Sequence, residues 1–181
     1  MVWTDAAYAR DSDPPGCLGA VVLDKESGRW YHSSLEISEG WLARFAHKEQ
    51  YIGQLEILAA VSVYLSLPGL RGRDVIHFID NSGSMAALCK GYSCDLDSVR
   101  LVHSFHALNE SLRANVWFNY VPSGANISDL PSRGRTEECL RIIFDVFGAD
   151  SEEFRSLLPE AGGWLGVYSA LQPRPREARS R

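Results

Sequence analysis

No apolar run in this sequence approaches the roughly 20 residues that cross a bilayer, which excludes a helical membrane protein. A basic segment followed by an apolar core is missing at the start as well. "MVWTDAAYAR" leads directly into what reads as a strand, so no signal peptide is expected and an intracellular setting, cytoplasm or nucleus, follows. Cysteine is sparse: Cys17, Cys89, Cys94 and Cys139 are scattered and form no C-x-x-C pair. That argues against a zinc site, and a chain of 181 residues needs no disulfide framework. The four are expected to be mostly buried thiols in a reducing compartment. A basic excess is lacking too, because the formal charge is −5. Bulk nucleic-acid binders usually carry one. An enzyme that gathers acids to hold divalent cations does not need it, since the cations meet the phosphate. No internal repeat is visible. What remains is an ordinary globular composition, 45% hydrophobic, enough for one core and one domain.

The chain divides cleanly by period. Val2 to Asp5 is a short strand, and "AYARDSDPPG" is a loop with a strong Pro-Pro-Gly turn signal. "CLGAVVLD" and "RWYHSSLEI", joined by "KESG", read as two more strands, so the three form an antiparallel meander. From His47 to about Leu67 apolar residues recur at Ile52, Leu55, Ala59 and Val63, a helical spacing closed by Pro68-Gly69. "DVIHFID" is a continuous apolar strand, suited to a sheet covered on both faces. Residues 82 to 90 form a short helix capped at Gly91, and Asp95 to Leu112 a long one. "NVWFNYV" is a fifth strand. Glu137 to Phe147 is a further helix, through Leu140, Ile143, Phe144 and Phe147, and the spacing of Asp150 and Glu153 predicts one more. The expected fold class is therefore α/β: a five-stranded mixed sheet, three strands in a meander and two parallel, flanked by helices. Residues 1–148 make the domain. Residues 149–181 make a C-terminal helix and a flexible Pro- and Arg-rich tail.

Four acids fall in unusual places. Asp5 and Asp80 end the first and fourth strands, and in α/β sheets ligands gather beyond the carboxyl ends of strands. "GQLEILAAV" sets Glu56 among aliphatic residues in mid-helix. Either it points sideways to solvent, as one face of a surface helix must, or it is a buried carboxylate, rare unless paired or metal-bound. Asp129 opens a helix after the last strand, where a helix-start acid is ordinary. Taken together, the four can reach one end of the sheet. Clustered carboxylates repel one another, and divalent cations, which prefer oxygen ligands, would neutralise them. Two such ions about 3.5–4 Å apart activate water and stabilise the leaving oxygen in displacement at phosphorus.

"VWTDAAY", "GQLEILAA", "HFIDNSGSMAALCKG" and "YVPSGANISDLPSRG", in that order, resemble the ribonuclease H domain of retroelement polyproteins, the part that follows the reverse transcriptase. The similarity covers roughly residues 2 to 135. It implies a ribonuclease H-like fold and cleavage of the RNA strand of an RNA–DNA hybrid by two Mg²⁺ ions, with Mn²⁺ able to substitute. A reverse transcriptase domain in the same polyprotein is the implied partner. By motif, Asp5 would bridge both metals, Asp80 would bind the metal on the nucleophile side, Glu56 would help hold the metals near the RNA 2′-hydroxyl, and Asp129 would complete the second site. The chain departs from relatives in three ways. Asp-Ala-Ala stands where many have Asp-Gly-Ser, "PSGANIS" lacks the loop histidine of cellular members, and no basic protrusion is present. Gln54 and Asn81 beside the acids could read the minor-groove edge of a hybrid, and Arg133 could meet phosphate. For each, a local cap or surface contact is the plain alternative.

Other readings remain. A ribonuclease H-like scaffold without chemistry would keep the fold, and so would another enzyme class such as an exonuclease or integrase, though those usually place their acids in different motifs. His103 and His106, three apart on a helix, could share a metal, though a solvated face suits them as well. "DNSGSM" matches the D-x-S-x-S metal site of adhesion domains through Asp80, Ser82 and Ser84, but those domains carry it on their first strand.

Overall fold

The computed structural model describes residues 1–46 and 49–159. Three consecutive strands open the chain: β1 (Val2–Tyr8), β2 (Gly16–Asp24) and β3 (Arg29–Ile37). They pair antiparallel, Asp5 opposite Gly19 and Val21 opposite His32. Two helices follow, α1 (Glu39–Leu42) and α2 (Ile52–Ser66), then β4 (Asp74–Ile79), α3 (Ser82–Lys90) and α4 (Leu96–Leu112). The rest is β5 (Asn115–Tyr120), α5 (Asp129–Ser132), α6 (Thr136–Phe147) and β6 (Ser151–Glu153). The sheet order is β5-β4-β1-β2-β3-β6, with β4 parallel to β1 and to β5, and β6 parallel to β3.

The fold is thus a mixed α/β sheet with flanking helices, of six strands where five were expected. The helix predicted from Asp150 is replaced by β6, whose Ser151 Oγ lies 3.0 Å from His32 Nδ1. α6 stops at Gly148 in the left-handed region (φ 63°), and the chain then runs along the open edge of β3. A capping pattern alone does not hold a helix when no apolar stripe follows it, and an edge strand offers ready backbone partners. The boundary expected at residue 148 falls between α6 and this added strand. Residues 160–181, most of the expected tail, lie outside the described residues, as do two residues at the start of the helix expected from His47. That helix begins at Ile52, and the sequence reading lacked α1, a single turn capped by Ser38.

Packing is unequal on the two faces. The main core sits between the sheet and α2, α3 and α4, and draws on Val2, Ala6, Val22, Ile79, Leu88 and Phe105. α2 is buried from Gln54 to Tyr64, so it is a core helix without a wet face over that stretch. On the other face α6 covers a smaller cluster of Val21, Trp30, Cys139 and Ile143, joined by Trp3. This cover stops short of β4 and β5. Ile76 and its register partner Trp117 are 43% and 73% exposed, so β4 is not covered on both faces as its apolar run suggested. Cys89 and Cys94 are likewise exposed rather than buried.

The pairing of β1 with β4 sets the functional end of the sheet. Val2 faces His77 and Trp3 faces Phe78, the latter two stacked with ring centroids 5.1 Å apart. Thr4 Oγ1 and His77 Nε2 lie 2.8 Å apart inside the core, where burial lowers the imidazole to a pKa of about 3 and keeps it neutral. Two residues beyond Trp3 and Phe78 stand Asp5 and Asp80. Asp80 follows β4 as expected, whereas β1 pairs with β2 as far as Tyr8, so Asp5 lies in mid-strand rather than at its end.

Candidate metal centre

Asp5, Glu56 and Asp80 come together there. One carboxylate oxygen from each lies within 4.8 Å of the others, an arrangement able to hold a metal ion. Three elements supply them: β1, the first turns of α2, and the residue following β4. Asp5 and Glu56 are each only 3% exposed, and Asp80 is half-buried. The solvent-facing alternative for Glu56 is therefore removed: α2 is buried on all sides over this stretch, and the Glu56 carboxylate meets Asp5 and Asp80. Glu56 Oε2 is buried without a hydrogen-bond partner.

The electrostatics follow from this crowding. Burial first, then the charges of Asp5 and Asp80, push the Glu56 pKa up to about 9. Burial raises Asp5 to about 7; the Ser132 hydroxyl opposes the rise, and the Asp80 and Asp129 charges add to it. A buried orphan oxygen among three carboxylates suits a hard divalent cation, so the donor set fits Mg²⁺ or Mn²⁺.

Asp129, at the start of α5, stands apart from the three-way group. Its charge reaches Asp5 and Glu56, but its Oδ1 accepts a hydrogen bond of 2.7 Å from Arg133 Nε. α5 is held in place by contacts that sequence reasoning missed. Asn126 Nδ2 donates to the Thr4 carbonyl, and Asn126 Oδ1 accepts from the Ser128 hydroxyl. Ser34 Oγ donates to the Pro131 carbonyl from β3. Ser132 Oγ donates to Asp5 Oδ2. Beneath them Gly19 leaves the room: a Cβ there would lie 2.3 Å from the Ser128 carbonyl oxygen. "ANIS" carries a local turn signal, but nothing in it announces the contact with β1.

The expected substrate contacts fare differently. Gln54 is turned into the protein, its Nε2 donating to Asp95 Oδ2 at 2.8 Å and to Ser98 Oγ at 3.2 Å, so it ties α2 to the start of α4. Asn81 caps α3, its Oδ1 accepting from the Ser84 backbone N–H, and stays half-exposed beside Asp80. Arg133 is on the surface next to the acids. Ser84 Oγ donates to the Gly53 carbonyl and Ser82 is exposed, so the D-x-S-x-S segment joins α3 to α2. His106 bonds the Leu88 carbonyl, and His103 faces solvent.

No family model and no curated protein matches this sequence. Solved structures do resemble it. Ribonuclease H1 from the halophilic archaeon Halobacterium salinarum aligns at 15% identity over 76% of this chain and 96% of that one, with a TM-score of 0.55. The N-terminal ribonuclease H domain of a Mycobacterium tuberculosis protein, solved as a fusion with maltose-binding protein, aligns at 12% identity over 77% and 94%, again with a TM-score of 0.55. Both likenesses show a ribonuclease H-like fold.

Proposed function

We propose that this chain is a metal-dependent endonuclease that hydrolyses the RNA strand of RNA–DNA hybrids. The single observation that carries the reading is the convergence of Asp5, Glu56 and Asp80 around a buried, unpartnered Glu56 oxygen, at the carboxyl end of β4 beside the middle of β1. The fold likeness and the ordered motifs support it. Asp5, Glu56, Asp80 and Asp129 are the proposed ligands of two Mg²⁺ ions, for which Mn²⁺ substitutes. When bound, such ions generate the nucleophile and neutralise charge on the leaving oxygen.

The remaining roles belong to the chain itself. Ser132 holds Asp5 in a fixed orientation, and Gly19 and Asn126 hold Asp129 over the same end of the sheet. Asn81 and Arg133 are the proposed substrate contacts, the first toward the minor groove of the hybrid, where 2′-hydroxyls are displayed, the second toward phosphate. Gln54 is left out of this set because its amide is bonded to Asp95 and Ser98. Residues 1–148 with the added β6 carry the activity, and the motif order makes a reverse transcriptase on the same polyprotein the proposed partner.

Labelled RNA–DNA hybrid, RNA duplex and DNA duplex, each with and without Mg²⁺, test the reading. Cleavage confined to the RNA of the hybrid, dependent on Mg²⁺ and lost in a folded Asp80→Asn variant, is expected. Undiminished cleavage by that variant, or none by the wild type, contradicts it.

A further inference from the structure

Not every acid of the centre is ready for an ion. Asp5, Glu56 and Asp80 face one another, but Asp129 Oδ1 is taken by Arg133 Nε at 2.7 Å, and Asp5 Oδ2 by the Ser132 hydroxyl. Arg133 lies four residues after Asp129, so the short helix α5 itself delivers the guanidinium to the carboxylate. That cation stays charged at any working pH. It also senses Asp5 and Asp80, which with Asp129 raise its pKa further.

We propose that Arg133 is an internal counter-ion on the Asp129 side of the centre, so that the free chain takes one divalent ion, at Asp5, Glu56 and Asp80, and admits a second only when a nucleic-acid phosphate draws the guanidinium away. The inference rests on the nuclease reading but concerns ion stoichiometry rather than cleavage. Two physical points carry it. A permanent positive charge bonded to Asp129 offsets the negative potential that a second cation would need. The pair is weakly anchored, since the Arg133 side chain is 57% exposed and an exposed i,i+4 pair is screened by water. A phosphate offers the same planar fork a bidentate partner and competes well for it.

Calorimetric titration of Mn²⁺ into the full chain without nucleic acid decides the matter, in wild type, Arg133→Ala and Arg133→Lys. One ion per chain in wild type and in the lysine variant, and two in the alanine variant, is the expected result. Two ions in wild type, or one in both wild type and Arg133→Ala, overturns the proposal. Circular dichroism checks that each variant is folded, and Arg133→Gln replaces the alanine if it is not. Hybrid cleavage by wild type, measured alongside, separates the two ideas. Cleavage with an unchanged stoichiometry sinks the counter-ion and spares the nuclease, whereas no ion bound and no cleavage sinks both.

Discussion

Ser132 donates its hydroxyl to Oδ2 of Asp5 across 127 residues of sequence, in a buried setting. This bond joins the helix that carries Asp129 to the strand that carries Asp5. It also opposes, more than any other contact, the rise that burial imposes on the Asp5 carboxyl.

Replacing Ser132 by alanine leaves Asp5 buried and short of a donor. Hydrogen bonds to charged groups contribute about 1.5–3 kcal/mol, so the variant should lose on the order of 2 kcal/mol. In a domain of this size that is roughly 4–8 °C in Tm at pH 8. The acid limb of the cleavage profile should move to higher pH, because the hydroxyl is what holds the Asp5 pKa down. Unchanged melting and an unmoved limb would show that the bond does not orient Asp5.

Gly19 is required by contact rather than by backbone conformation. An added Cβ would meet the Ser128 carbonyl oxygen at 2.3 Å and the Ser132 nitrogen at 2.5 Å, backbone atoms that cannot rotate aside. Gly19→Ala should therefore push α5 off β2, costing about 1–3 kcal/mol and reducing cleavage further than the stability loss alone explains. Gly53→Ala is the control. A Cβ there meets nothing within 4 Å, and alanine inside a helix stabilises by about 0.5–1 kcal/mol over glycine. Thermal melts and hybrid cleavage on both variants test the contrast.

The metal-free protein should weaken as pH rises. Glu56 at about 9 and Asp5 at about 7 lie above their ordinary values of 4.5 and 3.8, so between those limits the folded chain binds more protons than the unfolded one. Stability contributed this way is complete below the ordinary carboxylate range and is lost as pH climbs through about 7 and then about 9. Tm in EDTA should fall from about pH 5 to about pH 9. Saturating Mg²⁺ binds only the folded cluster, so it should raise Tm and flatten that slope at the alkaline end. A Tm that climbs with pH in EDTA over this range would contradict the raised carboxyls.

Much of the centre was legible because its residues break local rules. Asp80 ends an apolar strand and Glu56 interrupts a run of aliphatic residues, so both stood out before any contact was known. Asp5 stood out as a strand end, although β1 runs on to Tyr8 and holds it in mid-strand. The bond of Gln54 to the start of α4 was not legible, since it depends on how α2 and α4 cross. Ser132 and Gly19 likewise look like loop punctuation until α5 is laid on the sheet. β6 failed for another reason: three polar residues carry no strand pattern, and only the free edge of β3 makes them one. Apolar periodicity located α4 and α6, but it could not say that α6 would shield only part of the sheet and leave Phe144 exposed.

Anomalous diffraction from crystals soaked in Mn²⁺ tests the central claim most directly. The expected result is a peak within coordination distance of carboxylate oxygens from Asp5, Glu56 and Asp80 together. Manganese bound only elsewhere, or a cluster that stays empty at saturating Mn²⁺, would contradict the account.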